Sequence, residues 1–510
     1  MSRPHDELVA RTAVELRRLI ARRELSPVEL VDACIARIEA LNPAVNAIAA
    51  TDFERARAAA RVAERQVMDG AVLGPLHGLP LGVKDLQDTA GLLTTCGNVR
   101  LRGHVPAADN AAVARLRRAG AIVLAKTNVP DMGAGANTRN PVWGATGNPF
   151  DPALNAGGSS GGSAAALATD MVPIATGSDT GGSLRIPAAL CGVVGLRPSP
   201  GLIGNDARPL GWSAISVLGP MGRDVADTAL LMSAMLGFDG RDPLSYPVAA
   251  EPFATLPTVD PRTLRIAYTE DFGLCAVDAS IRQVFRERIA ALAPHVARCE
   301  PIAERFGEAD RAFDILRAES FVAAFADTYR NAPDTLGPNV RANVELAASI
   351  TLADRAWAHL EQTRIARQFH RVFEQYDLLL APVTPLSPFP WQQLYAEEVQ
   401  GRRMRNYYEW LSLTYVVTLA TNPALSLPCG RDVLGMPFAL QVIAPLRADA
   451  SLLAAARALE GVFAAQPGLG RPRPDLSRLR EPRPELRSIV THPPLFGGGA
   501  AGGMPAASAV

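Results

Sequence analysis

The stretch that most limits what this chain can become runs from Asn155 to Pro187, NAGGSSGGSAAALATDMVPIATGSDTGGSLRIP. Two Gly-Gly-Ser turns sit in it, one ending at Ser159 and the other at Ser183. Between them AAALA predicts a short helix, and the apolar run MVPIA predicts a buried strand. Glycine tolerates positive φ and lets a backbone come close to a ligand. Turns joined in this way can bring two serine hydroxyls to one place. LRIPAAL follows Ser183, so the second turn feeds a helix, where backbone N–H groups can face a developing negative charge.

The flanks predict an α/β architecture. In GPLHGLPLGVKD (74–85), Gly and Pro punctuate a short apolar run, Pro80 to Val83, read as a buried strand that delivers Lys84 at its end. A helix over 107–119 and a second buried strand, AIVLAK (121–126), follow. Alternating strand, helix and strand argue for a central sheet with helices on its faces. Upstream, Ser26-Pro27-Val28-Glu29 combines a Ser cap, Pro in the first turn and Glu three residues after the cap. That helix is expected to run to Leu41 and break at Asn42-Pro43, with another helix over 53–69. Downstream, helices are expected over 224–236, 278–293, most of 305–377, 403–420 and 449–464. Strands are expected over 264–268, 377–385 and 436–445. From Gln466 the composition shifts to Pro, Arg, Gly and Ala, so 466–510 is expected to be a disordered tail.

Composition excludes several classes. Lys+Arg and Asp+Glu both total 51 in 510 residues, so no basic field argues for nucleic acid. No run approaches the ~18–20 apolar residues of a membrane helix. The N-terminal segment has amphipathic helical spacing and lacks the apolar core of a signal peptide. The six cysteines, at 34, 96, 191, 275, 299 and 429, are far apart and form no C-x-x-C. They read as reduced thiols of a cytoplasmic protein, with neither a disulfide framework nor a zinc site.

A serine nucleophile needs a base beside it. No histidine lies within the glycine turns, and no G-x-S-x-G surrounds Ser183. His77, in PLHGLP, reads as a loop histidine bonded to backbone. Lysine is the other option, because Lys84 and Lys126 both end buried-looking strands. A lysine walled in by apolar β-structure loses solvation, its pKa falls, and its neutral amine can accept a proton. A serine–lysine pair is a known variant of triad chemistry. The structural rival is a Lys84–Asp85 ion pair. A phosphate cradle is a poor fit, because GGSSGG lacks the lysine of G-x-x-x-x-G-K-[ST].

At these residues the chain resembles the amidase signature family. GVKD around Lys84, GGSSGGSAAA from Gly157 and GSDTGGSLRIPA from Gly177 look like its three signature blocks, in order and with matching spacing. SPVELVDACIARIEALNPAVNA, AGAIVLAKTNVPDMG, NPALSLPCG and PFALQVIAPLRADASLL fit its flanks, so the resemblance covers about 10–464. It is thin between 240 and 420. The resemblance implies one α/β domain over 1–465, with a mixed central β-sheet covered by helices on both faces. Its signature core would span about 74–203 and its helix-rich variable region about 240–420. It implies a Ser-cisSer-Lys triad, with Ser183 as nucleophile, Ser159 after a cis peptide from Gly158 as bridge, and Lys84 as base. Backbone N–H groups of Thr180, Gly181, Gly182 and Ser183 are the implied oxyanion hole. Ser160, Asp179 and Arg185 are the implied supports of the turns. No metal and no organic cofactor is implied. Ala156, where Pro or Thr is common, and Leu202, where Arg is frequent, depart from the family pattern outside the implied triad.

The implied activity is hydrolysis of a small-molecule amide to an acid and ammonia or an amine, by a homodimer at family level. One alternative is the glutamine-hydrolysing component of a tRNA-dependent amidotransferase, which needs a partner subunit. Another is a non-catalytic binding protein of the same fold, against which the joint presence of Lys84, Ser159 and Ser183 argues. The sequence leaves the amide open. Trp143, Trp391, Tyr407, Tyr408 and Trp410 are candidate pocket residues, and no arginine stands out as a carboxylate clamp.

Overall fold

The computed structural model describes residues 4–496. Its centre is an eleven-stranded mixed sheet. In chain order the strands are β1 (Ile48–Thr51), β2 (Pro80–Lys84), β3 (Ile122–Thr127), β4 (Ile174–Asp179), β5 (Val194–Arg197) and β6 (Val217–Gly222). The remaining five are β7 (Arg265–Tyr268), β8 (Arg298–Pro301), β9 (Leu378–Pro382), β10 (Ala424–Arg431) and β11 (Pro437–Ile443). Their order across the sheet is β1-β3-β2-β4-β6-β5-β10-β11-β9-β7-β8. β3, β2 and β4 run parallel, as do β9, β7 and β8, and antiparallel pairs join the two groups through the middle.

Helices flank the sheet. Those that matter below are α1 (Pro27–Val45), α2 (Gly161–Ala168), α3 (Arg185–Cys191), α4 (Ala309–Asn331), α5 (Pro338–Ala347), α6 (Leu352–Phe373) and α7 (Ser412–Ala420). Every residue of β2, β3, β4, β5 and β6 is buried. A strand covered on both faces reads as a continuous apolar run without polar alternation. That is why the sequence signalled β2 and β3 clearly. One contiguous apolar core runs through the sheet and its helices.

Several expectations are corrected. α1 passes through Asn42-Pro43 and ends at Val45, where Asn46 takes a left-handed conformation (φ 50°) and its N–H closes on Asn42 O at 2.7 Å. Pro43 lies in the last turn, where the helix loses one N–H without losing its register. Residues 403–411 are not helical throughout. Arg402–Arg403 pairs with Glu398–Val399, and a single tight turn at Glu409–Leu411 precedes α7. Asn406 Oδ1 accepts the N–H groups of Tyr408 and Glu409 at 3.1 and 2.9 Å, so its side chain competes with helical bonding. β1, β5, β6, β8 and β10 were missed.

Disorder is also corrected for residues 466–496. Leu479 and Leu486 are each 1% exposed, and the Arg483 N–H donates to Pro43 O at 2.9 Å. Further on, the Leu495 N–H donates to Arg102 O at 2.7 Å, and Phe496 meets the Trp143 ring edge-on. The polar composition hid a few apolar anchors. The rest of the expected tail, 497–510, lies outside the described residues. Among those described, no helix is long and apolar enough to cross a membrane.

Candidate active site

Two parallel neighbours in the sheet set the site. β2 and β4 pair at Leu81 with Ile174 and Gly82 with Ala175, so Lys84 and Asp179 end adjacent strands. The first glycine turn leads into α2, and the second leaves β4 and leads into α3. The Gly158–Ser159 peptide bond is cis. Gly182 has φ +119°, and a Cβ there would come within 2.7 Å of Ile186 Cδ1 and closer still to the Thr414 hydroxyl. Only glycine fits that corner.

Lys84 is fully buried, and its Nζ donates to Ser159 Oγ, Ser160 Oγ and Ser178 Oγ, each at 2.8 Å. Burial pulls its pKa down to about 7, and the negative Asp179 limits the fall. An amine at that pKa exchanges its proton near neutrality, so it can act as a base towards a hydroxyl in contact with it.

Asp179 ties the second turn together. Its Oδ1 accepts the Gly182 N–H at 2.9 Å and its Oδ2 accepts the Leu184 N–H at 3.1 Å. The Arg185 guanidinium grips both oxygens at 2.9 and 3.0 Å, and Arg197 reaches Oδ1 at 3.2 Å. Burial alone would raise this carboxyl, but the two arginines hold it well below the usual carboxylate range. Arg185 also donates to Thr414 O, Thr418 Oγ1 and Gln441 Oε1, which anchors the turn to α7 and β11. Thr414 Oγ1 donates to Gly181 O at 2.6 Å. The Gly182 N–H, expected as an oxyanion donor, is therefore already bonded to Asp179.

From Met171 to Ser199 every residue is buried except Ser183. That hydroxyl faces a small cavity it shares with Ser159, Ser178, Thr180, Arg317 and Tyr407. The enclosed space is about 10 Å³ for the centre of a water molecule. The Ser183 and Ser159 side chains thus line one opening, and the Ser159 hydroxyl is in turn bonded to the Lys84 amine behind it.

Other candidates fall outside this opening. Lys126 is buried beside Gln87 O, Thr89 Oγ1 and Asp85, away from the serines. Asp85 is 3.9 Å from Lys126 and accepts the Thr95 hydroxyl at 2.7 Å, so the Lys84–Asp85 ion pair does not form. His77 Nε2 lies 2.9 Å from Ala63 O, as a backbone-bonded histidine. Of the five aromatic candidates only Tyr407 lines the cavity. Trp143 Nε1 donates to Thr95 Oγ1, Trp391 packs with Ala145 and Leu486, Tyr408 packs on Phe313, and Trp410 packs on Phe389. Among the described residues no group of three or more His, Cys, Asp or Glu could hold a metal.

Sequence reasoning missed Ser178 and Arg317. Ser178 lies just past the MVPIA run read as a strand, and the strand in fact continues through it to Asp179. Arg317 carried a signal, because it falls on the apolar stripe of α4 that includes Phe313, Leu316 and Phe321.

Known proteins give this geometry a context. A family model described as Amidase matches residues 29–453. The chain is 35% identical over 492 residues to a component of the glutamyl-tRNA(Gln) amidotransferase of Acidothermus cellulolyticus, covering 91% of this chain and 96% of that protein. It is 34% identical over 461 residues to an acylamidase of Rhodococcus erythropolis, covering 88% and 95%. Among solved structures, a bacterial aryl acylamidase of the amidase signature family superposes with a TM-score of 0.82 at 28% identity, covering 90% of this chain and 99% of that one.

Proposed function

The chain belongs to the amidase family, and from that premise we propose that it hydrolyses a carboxylic amide through an acyl-enzyme on Ser183. The observation that carries the reading is the Lys84 amine. It is desolvated to a pKa of about 7 and set 2.8 Å from the Oγ of Ser159, a residue that lines the cavity Ser183 faces.

Neutral Lys84 takes the Ser159 proton as Ser159 takes the Ser183 proton. The freed Ser183 oxygen attacks the amide carbonyl. Negative charge moves to the carbonyl oxygen, where the N–H groups of Thr180, Gly181 and Ser183 stabilise it. One such donor is typically worth ~3–4 kcal/mol. The proton returns through Ser159 to the leaving nitrogen, the C–N bond breaks, and ammonia or an amine departs. Water then attacks the ester, giving the acid and restoring Ser183. Ser160 and Ser178 hold the Lys84 nitrogen in line, while Asp179 and Arg185 hold the corner that presents the N–H groups.

The test is fluorophosphonate labelling mapped by peptide mass spectrometry on wild type and Lys84→Ala. Label on Ser183 that is lost in the lysine variant supports the relay. A folded wild type that takes no label on Ser183 sinks it.

A second reading is favoured by the relatives themselves, since a component of a glutamyl-tRNA(Gln) amidotransferase matches as well as an acylamidase does. Hydrolysis of simple amides by the purified chain on its own supports the free-standing enzyme. Activity on glutamine that appears only with a partner subunit supports the other. Cytoplasmic residence is part of the proposal and is supported by six free cysteines. So is a homodimer, which sedimentation velocity checks.

A further inference from the structure

Arg317 occupies an unusual position for a cation. It lines the same cavity as Ser183 and is 6% exposed. It forms no ion pair with an acidic side chain among the described residues. Its one hydrogen bond there runs from Nη2 to Tyr407 Oη at 2.6 Å, and its buried Nε–H has no acceptor. Instead, its guanidinium carbon lies 4.7 Å from the Phe321 ring centroid, 5.2 Å from Tyr408, 5.6 Å from Tyr407 and 5.9 Å from Phe313. Ring faces offset part of the desolvation of a cation, but they accept no N–H bonds in the guanidinium plane.

Tyr407 adds to the same imbalance. Its oxygen accepts from Arg317 and from Asn343 Nδ2, at 2.6 and 2.7 Å, which leaves its own hydroxyl proton free to donate. Among the described residues no acidic side chain lines the cavity. Arg317 and Tyr407 thus offer donors and a net positive charge to the cavity, and what complements them is an anionic acceptor with two oxygens.

We propose that Arg317, with Tyr407, recognises a carboxylate on the substrate, so that the preferred substrate is a short amide carrying a carboxylate a few atoms from the carbonyl that Ser183 attacks. This rests on the amidase reading and narrows it to a substrate class. The planar fork of arginine fits a carboxylate with two parallel N–H bonds, which a lysine cannot reproduce. The small volume favours a short linker between the two groups. A neutral amide of the same length leaves the cation buried without its partner, and that mismatch is the source of discrimination.

The experiment compares kcat/KM for the monoamides of malonate, succinate and glutarate with neutral aliphatic amides of matched length. It is run on wild type, Arg317→Gln and Arg317→Lys. Wild type is expected to prefer the carboxylated series by about 100-fold, with the ratio falling towards one in Arg317→Gln. The wild-type ratio needs no variant, and Arg317→Lys keeps the charge if the glutamine variant fails to fold. Calorimetry on Ser183→Ala then compares succinamate with butyramide, which differ only in the distal carboxylate. Tighter succinamate binding that is lost when Arg317→Gln is added supports the assignment, whether or not turnover is seen. Equal binding of the two amides overturns it. Turnover of neutral amides with no preference for the carboxylated ones also overturns it and leaves the amidase reading standing. Succinamate bound through Arg317 in a protein that hydrolyses no amide does the reverse.

Discussion

Ser178 Oγ and Ser159 Oγ lie at the same distance, 2.8 Å, from one nitrogen, Lys84 Nζ. A neutral amine has one lone pair and two N–H bonds. If the lone pair takes the Ser159 proton, the N–H bonds are left for Ser160 and Ser178. Ser178 then fixes the direction of the lone pair without entering the proton path. Ser178→Ala is expected to lower kcat about five- to tenfold, the equivalent of one hydrogen bond of ~1 kcal/mol, with KM little changed. Steady-state kinetics beside fluorophosphonate labelling checks it. A loss as deep as that of Ser159→Ala would place Ser178 in the path.

Activity should follow the protonation of Lys84. Its pKa is brought to about 7 by burial, against an ordinary 10.5. Below about pH 7 the amine is protonated, so kcat/KM should fall about tenfold per pH unit and level off above. A flat profile from pH 5 to 8, with circular dichroism showing an intact fold, would count against a neutral lysine base. Lys84→Ala removes the base itself and is expected to cost about 100- to 10,000-fold in kcat.

The same lysine gives a stability test of definite sign. Between about 7 and 10.5 the unfolded chain holds the Lys84 proton and the folded chain does not. Unfolding therefore takes up a proton in that window, and stability should rise with pH across it. Lys126, also lowered by burial, acts in the same direction. Urea unfolding at pH 7 and pH 10 should show a smaller gain in Lys84→Met than in wild type.

Asp179→Asn is expected to destabilise strongly. It removes the carboxylate that neutralises two fully buried arginines, Arg185 and Arg197. Breaking a buried pair by removing one partner costs about 3–5 kcal/mol. Thermal unfolding measures the loss. A Tm within a degree of wild type would mean that the arginines find other partners.

Leu486→Ala tests the C-terminal segment. Leu486 packs with Ala145 and Trp391 at 1% exposure. A fully buried leucine cut to alanine costs about 2–5 kcal/mol. A change below about 0.5 kcal/mol, the range of ordinary surface substitutions, would show that this segment docks too weakly to matter.

The site was legible in the sequence because its chemistry is local to short blocks. Lys84 contacts Ser159 and Ser160, and Asp179 contacts Arg185, all carried by those blocks. The bond from the Gly182 N–H to Asp179 was not legible, because a sequence pattern names the glycine corner but not which N–H a carboxylate takes. Of the strands buried on both faces, β2, β3 and part of β4 were read, whereas β5 and β6 were not. β8, with exposed or half-buried residues throughout, carried no such run. Arg317 was missed for a different reason. Its meaning depends on Tyr407 and Asn343, which arrive from the loop before α7 and from α5, and no local pattern joins them. The segment after Gln466 was misread because two well-placed leucines outweigh the polar residues around them.

Arg185 joins the glycine corner to Thr414, Thr418 and Gln441, which lie 229 to 256 residues further along the chain. During synthesis, Ser183 leaves the ribosome long before the groups that set its corner have been made. At ~5–20 residues per second, that gap lasts on the order of ten seconds to a minute. A nascent chain stalled before α7 therefore holds Lys84, Ser159 and Ser183 but not the bonds that fix their corner, and on the proposed mechanism its chemistry waits until the polypeptide is nearly finished.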